Sequence, residues 1–255
     1  MKKAALITLF LGMTILFSSQ AQAHYPWVNS DNYSPETGDS VHITIGWGHR
    51  YPLSRFLKKA DLEHIVIVGP DGKKVDLVVA SELEFEPENN LSKPGSYIVA
   101  AKRKTGFYTK TTQGGKRQSK KGLSNVISCS LSHMSMKAIL SVGEEQGAVD
   151  SKVGHPLEII PMANPAELSA GDYLPIQLLL HGKPYKGKIF ATYMGFSTEK
   201  DVFAYTSKTD RQGRGKIRIL QPGIWLIKAE HIEPYPNQDE CDVEKFIATL
   251  TLEVK

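Results

Sequence analysis

The feature that most limits what this chain can fold into is a missing one: no stretch of about ten residues sustains the 3.6-residue period of a helix. Short apolar runs, alternating or continuous, are instead separated by turn residues. Ser40–Ile45 alternates as a half-buried strand does, and His64–Val68 runs into Gly69-Pro70-Asp71-Gly72 before Val75–Val79. Gly95–Ala101 follows a Pro-Gly break, and Met136–Val142 closes the first half. After the polar connector Glu144–Gly154 come Leu157–Pro161, Tyr173–Leu180, Lys188–Tyr193, Lys216–Leu220, Ile224–Ala229 and Phe246–Val254. Short helical turns are expected only near Pro52–Lys59 and around Glu82. Strands of about five to eight residues at this spacing predict an all-β chain built as two β-sandwich-like domains, residues 24–143 and 154–255.

The N-terminus reads as an export signal. Met1-Lys2-Lys3 is a positive start, Ala4–Phe17 is uncharged and mostly apolar, and Ala21-Gln22-Ala23 ends in the small-x-small pattern of a cleavage site. Residues 1–23 are therefore expected to be removed by cleavage after Ala23, giving a periplasmic product that begins at His24. The apolar run is too short for a comfortable membrane span, no lipid-attachment cysteine follows it, and no integral membrane segment is expected after cleavage. The formal net charge is +4, two of those charges lying on Lys2 and Lys3, so the overall balance implies no particular partner. Charge is nonetheless uneven. Between Glu88 and Glu144 there is no acidic residue, while Lys93, Lys102, Arg103, Lys104, Lys110, Lys116, Arg117, Lys120, Lys121 and Lys137 fall there. A solvated loop around Gly114-Gly115 or docking on an anionic surface accounts for this. No nucleic-acid recognition motif accompanies it. Cys129 and Cys241 lie in opposite halves of the chain; an oxidising compartment permits a bridge between them, and two buried thiols are the alternative.

Several longer motifs carry a resemblance. "GKPYKG" and "TDRQGRGKIRILQPGIWLIKAEH" resemble an immunoglobulin/transthyretin-like module in which G-K-P, T-D-x-x-G and P-G-x-W mark successive turns. Together with "AHYPWV", "GWGHRYP", "TGFYTKTTQGG" and "LEIIPMANP", they make the mature chain resemble the DUF4198 family. The resemblance implies an exported β protein, with the C-terminal domain immunoglobulin/transthyretin-like, often linked to nickel or cobalt uptake (NikM-like).

The chemistry with the clearest local rationale starts at His24. A free N-terminal histidine offers its α-amine and its imidazole to one metal, and both deprotonate near neutral pH. An internal histidine has no such amine. The other N-terminal copper/nickel arrangement needs histidine at the third position, which is Pro26. A second ligand must come from elsewhere, and "GWGHRYP" is the best source: His49 is expected in a loop after a strand, with Trp27, Trp47 and Tyr51 as pocket walls. An aromatic-rich turn packed on the core is the plainer explanation of that motif. His231 follows Ala229-Glu230 at the mouth of an expected loop, on the face of Trp225 if the strand persists. His42 lies on an expected strand. Both are weaker candidate ligands, and His64, His133, His155 and His181 read as structural. Imidazole ligands suit nickel, copper, zinc and iron alike; the resemblance favours Ni(II) or Co(II), and raw affinity at nitrogen donors favours Cu(II).

No G-x-S-x-G, H-E-x-x-H or phosphate-binding glycine loop is present, so no enzyme activity is expected. The leading expectation is a periplasmic metal-binding accessory protein that captures nickel or cobalt and passes it to a membrane metal transporter. The alternatives are an exported adhesion or scaffold module without metal, and a histidine-brace copper protein.

Overall fold

The structure is a computed structural model and describes residues 24–52, 55–143, 147 and 149–255. The expected signal segment and its cut after Ala23 lie outside the described residues, as does part of the connector 144–154. In chain order the strands are Tyr25–Ser30 (β1), Ile43–Gly48 (β2), Arg55–Phe56 (β3), Leu62–Val68 (β4), Lys74–Val79 (β5), Glu84–Pro87 (β6), Gly95–Thr111 (β7), Gly114–Lys116 (β8) and Val126–Val142 (β9). They continue with Leu157–Pro161 (β10), Tyr173–Leu180 (β11), Lys183–Pro184 (β12), Lys188–Tyr193 (β13), Tyr205–Lys208 (β14), Arg214–Arg218 (β15), Gly223–Pro234 (β16) and Val243–Val254 (β17). The chain is all β with two sheets. Helix is confined among the described residues to two single 3₁₀ turns, Lys59–Asp61 and Pro165–Glu167. The first falls at the end of the expected 52–59 turn; the segment around Glu82 makes only bends; the second was not anticipated and is capped by the Asn164 side chain accepting from Ala166 N at 3.1 Å.

The larger sheet runs β1-β2-β6-β5-β4-β7-β9-β17-β16-β13-β14, with β3 on β2 and β8 on β7. The smaller is β10-β11-β12 with β15 on β11. Every pairing is antiparallel except β9 with β17, which is parallel and joins the first half of the chain to the last strand. Alternation along β17 divides the molecule. Phe246, Ala248, Leu250 and Leu252 face a core shared with the smaller sheet through Leu157, Ile159, Leu174, Ile176 and Ile217. Ile247 faces the other way, toward Tyr25, Trp27, Tyr51, Met134 and Leu226. On that side the large sheet curls over itself and lays β1 across β9 and β17. Thr249 and Thr251 donate from their hydroxyls to the Pro26 and Val28 carbonyls at 2.8 and 2.7 Å, satisfying buried backbone groups that β17 cannot reach by strand pairing.

Two cross-links hold the halves. Cys129 and Cys241 form a disulfide with Cα atoms 5.0 Å apart, linking β9 to the loop before β17. Lys137 and Glu158, both almost wholly buried, pair at 3.0 Å, and Glu158 also accepts from Val153 N (2.8 Å) and Gly154 N (3.2 Å). That carboxylate thereby docks the end of the connector on β9.

Candidate functional site

β1 and β2 pair from Ser30↔Ile43 to Tyr25↔Gly48, and the same register carried one step outward sets His24 opposite His49. The local sequence explains why the hairpin closes so tightly. A Cβ at Gly46 would sit inside the Trp27 indole, so glycine is what lets that ring lie flat on β2. Trp27 is fully buried and meets Tyr51 edge-on at 5.6 Å. The two rings thus form the floor beneath the corner, in the dry: Trp27 Nε1 and the Tyr51 hydroxyl have no hydrogen-bond partner among the described residues, and burial pushes the Tyr51 phenol up. Trp47 is the true wall. It stacks on His24 with ring centroids 5.5 Å apart and planes 12° apart, while the Arg103 guanidinium covers the indole at 4.9 Å.

The His24 and His49 rings lie 4.3 Å apart, inclined by 49°. His24 is solvent-exposed as a residue, yet its ring is partly desolvated between Trp47 and His49. Burial, reinforced by His49 and Arg55, holds its imidazole below the ordinary value, with Asp201 opposing and Lys200 adding to the fall. The imidazole therefore stays neutral, the form a metal takes, to lower pH than a free one.

His49 is held from behind. Its Nδ1 lies 3.0 and 3.2 Å from the two oxygens of Asp201, and the Asp201 backbone N–H donates to the His49 carbonyl at 2.9 Å. Asp201 has φ +56°, a left-handed conformation that Asp tolerates better than most residues. A carboxylate on one ring nitrogen orients the imidazole and leaves the other nitrogen for a different partner, as carboxylates behind histidine ligands do. Tyr25 stands edge-on to His49 at 6.2 Å, its phenol pushed up by burial and then by Asp201. Beneath Tyr25 the buried Lys228 ammonium lies 4.7 Å from that ring and 5.7 and 5.9 Å from Phe190 and Phe203. A cavity of about 240 Å³ opens alongside, lined by Arg50, Tyr51, Pro52, Met194, Ser197 and Thr198.

The other expected ligands lie elsewhere. His42 is exposed before β2, where its backbone exchanges hydrogen bonds with Asp31 at the far end of the hairpin, roughly 20 Å from His49 at the rise of a strand. His231 is not at a loop mouth: β16 persists to Pro234, so His231 is on the Trp225 face, away from His24. There its Nδ1 is 2.7 Å from the Tyr185 hydroxyl and its Nε2 3.0 Å from Glu233. Among the described residues no group of three or more His, Cys, Asp or Glu side chains is arranged to hold a metal ion. His24 and His49 bring two imidazoles together at this corner.

A profile of the domain of unknown function DUF4198 matches residues 21–233, well over half of the chain. The chain belongs to the DUF4198 family. No match to a curated protein is found. Among solved structures, this DUF4198 chain is similar to a DUF4785 protein of Legionella pneumophila at 12% identity and TM-score 0.27. The likeness covers 82% of this chain and 53% of that one, so it spans about half the length of the Legionella protein. The D0-D1 domain of intimin is similar at 13% identity and TM-score 0.24, over 89% of this chain and 96% of that one. Murine CEACAM1b is similar at 7% identity and TM-score 0.23, over 91% and 98%.

Sequence reasoning about this DUF4198 chain missed Asp201, Lys228, Arg55 and Arg103 at the corner. Asp201 lies 152 residues from His49, inside a "STEKDVF" turn with no motif of its own, and no local signal could have paired them. Lys228 had a signal: a lone cation in the apolar run Ile224–Ala229 must find aromatic faces or a carboxylate.

Proposed function

We propose that this DUF4198 chain is a periplasmic metal-binding accessory protein whose site is the His24–His49 corner. One observation carries the reading: two imidazoles face each other at 4.3 Å across the β1–β2 hairpin, and one of them is oriented by a carboxylate. With cleavage after Ala23, the His24 amine and imidazole and the His49 imidazole would give three nitrogen donors. A bound transition metal would be the cargo, and Asp201 would hold His49 in the ligand tautomer. Trp47 and the buried Tyr25–Trp27–Tyr51 group would restrict water on the protein side. The family resemblance favours Ni(II) or Co(II), and three nitrogen donors favour Cu(II) by intrinsic affinity. The role is capture and delivery to a membrane metal transporter rather than catalysis.

The test is calorimetric titration of naturally cleaved protein with Ni(II), Co(II), Cu(II) and Zn(II), beside the same chain carrying one extra residue before His24. Mass spectrometry confirms each terminus. One-to-one binding that collapses in the extended chain is the expected result, and the tightest metal identifies the cargo. Equal binding by both chains would remove His24 from the site, and no binding of any metal would end the proposal.

A further inference from the structure

The basic stretch that the metal corner does not use has a distinct place in the fold. β7 and β9 run past their outer neighbours: β4 leaves β7 at Arg103, and β17 begins on β9 at Ser130. Beyond those points only β8 joins them, so β7, β8 and the start of β9 form a projecting three-stranded tip. Its two faces differ. On the back, Thr109 and Cys129 are buried, the disulfide ties on the 237–241 loop, and Lys120 pairs with Asp242. The Asp242 carboxylate accepts from Cys129 N and pairs with Lys120, and the Glu240 carbonyl lies beside Cys129 Sγ, in the segment that the disulfide ties on.

The front is bare. Tyr108 and Lys110 alternate onto it, opposite Ser130 and Ser128 of β9. The register shift between Lys110 and Thr111 leaves Ile127 as the extra, unpaired residue of β9 beside this face, and β8 brings Gly115 opposite Lys110, with Arg117 next along. Tyr108 lies over Gly115, where a Cβ would collide with its phenol. Tyr108 is 51% and Ile127 56% exposed. No ion pair engages Lys110 or Arg117 among the described residues. This front also continues the face that carries the corner. Ser128, Ser130, Ser132 and Met134 alternate along β9 in step, and Met134 packs with Tyr25.

We propose that the front of this tip is a docking surface for a membrane bearing anionic lipids. Lysine and arginine without acidic neighbours supply attraction to an anionic surface, which polybasic segments obtain additively. An exposed tyrosine and isoleucine beside them have the amphipathic character of side chains that settle at a headgroup boundary. An acidic protein surface would be met by the charges but would give Tyr108 and Ile127 no common apolar phase. Docking by this face would turn the His24–His49 corner toward the bilayer, whether or not that corner binds metal.

The experiment is vesicle flotation of the cleaved full chain with phosphatidylcholine vesicles, with and without phosphatidylglycerol. Binding only to the anionic vesicles, weakening as salt rises from about 0.05 to 0.5 M, is expected. Lys110→Glu with Arg117→Glu should reduce it about tenfold or more, and Tyr108→Ser with Ile127→Ser should reduce it at unchanged charge. The distant pair Lys183→Glu and Lys208→Glu, which alters net charge equally, should leave most of it. Circular dichroism and thermal transitions confirm that each variant is folded. Equal binding to both vesicle types, equal loss in the distant pair, no loss in the tyrosine–isoleucine variant, or binding to a soluble polyanion but not to vesicles would each overturn the proposal.

Discussion

Two groups of histidines lie on opposite sides of β9, β17 and β16, one at the end of the β1–β2 hairpin and one on those strands themselves, and their difference shows what makes an imidazole available. At the corner, His49 has one nitrogen on Asp201, and its ring faces another imidazole at 4.3 Å. On the far face, His133, Phe246 and His231 sit side by side on β9, β17 and β16, with Phe246 between the two imidazoles. His133 has Thr105 Oγ1 at 3.2 Å on Nδ1 and Glu244 at 2.6 Å on Nε2; His231 has Tyr185 and Glu233 on its two nitrogens. Both groups combine imidazole with carboxylate. Of the two groups, the corner alone puts two imidazoles side by side without an aromatic spacer, and among the described residues only Nδ1 of His49 has a hydrogen-bond partner on that ring.

The largest effect expected from this contrast is in metal affinity. His49→Ala should weaken one-to-one binding by more than about 100-fold, beyond what outer-shell changes cause. His231→Ala should leave it within about twofold, since that ring is on the other face. Titration of the two variants side by side checks this, and a similar loss in both would erase the distinction. Asp201→Asn comes next. It keeps the shape but loses the charge that orients the His49 imidazole, and should cost about 10–100-fold in affinity. The matching change on the far face, Glu244→Gln, should cost none.

A smaller change reaches the corner through packing. Gly46→Ala forces a methyl into the Trp27 indole and should destabilise the fold by about 1–3 kcal/mol, as overpacking does. Trp27→Leu in the same background should recover part of this by opening space. Denaturant unfolding reads both. A Gly46→Ala protein as stable as the parent would mean that the hairpin and the ring adjust freely.

These contrasts also mark how far the residues alone reach. Apolar runs bounded by turn residues, such as Leu157–Pro161, Tyr173–Leu180 and Lys188–Tyr193, appear with the expected bounds. β1 was legible only as a motif: "YPWVNS" opens with Tyr-Pro-Trp and buries four residues in succession, so its pattern does not alternate. β7 and β9 extend well past their apolar parts because hairpin pairing carries the polar segments along, which no periodicity announces. Chemistry singled out His49 as the best candidate partner for an N-terminal histidine but left open whether the two meet; their proximity comes from one antiparallel register. Asp201 and the parallel β9–β17 pairing are long-range facts of topology. His231 was misplaced because β16 runs five residues beyond its apolar stretch, paired throughout with β17.

The smallest effect concerns a third kind of histidine, buried with a ring nitrogen that has no partner among the described residues. His155 is buried beside the connector, with Nε2 unpartnered among the described residues and the His64 ring 6.0 Å away. Burial pushes its imidazole down to about 3, with Lys137, His64 and Lys102 adding to the fall. The sign follows from which state takes the proton. Below the ordinary value of 6.5 the unfolded chain binds a proton that the native one refuses, so stability falls as pH drops from there toward 3. The slope from one such group is at most about 1.4 kcal/mol per pH unit. From about one pH unit above 6.5 it contributes almost no slope. His155→Leu removes the titration and keeps the site apolar, so the loss of stability between pH 7 and pH 5 should be about 2 kcal/mol smaller than in the parent. His231→Leu serves as the control for losing an imidazole as such, since that ring is hydrogen-bonded to Tyr185 and Glu233. Urea unfolding at the two pH values decides it: parallel losses in parent and His155→Leu would mean that the His155 imidazole accepts its proton in place.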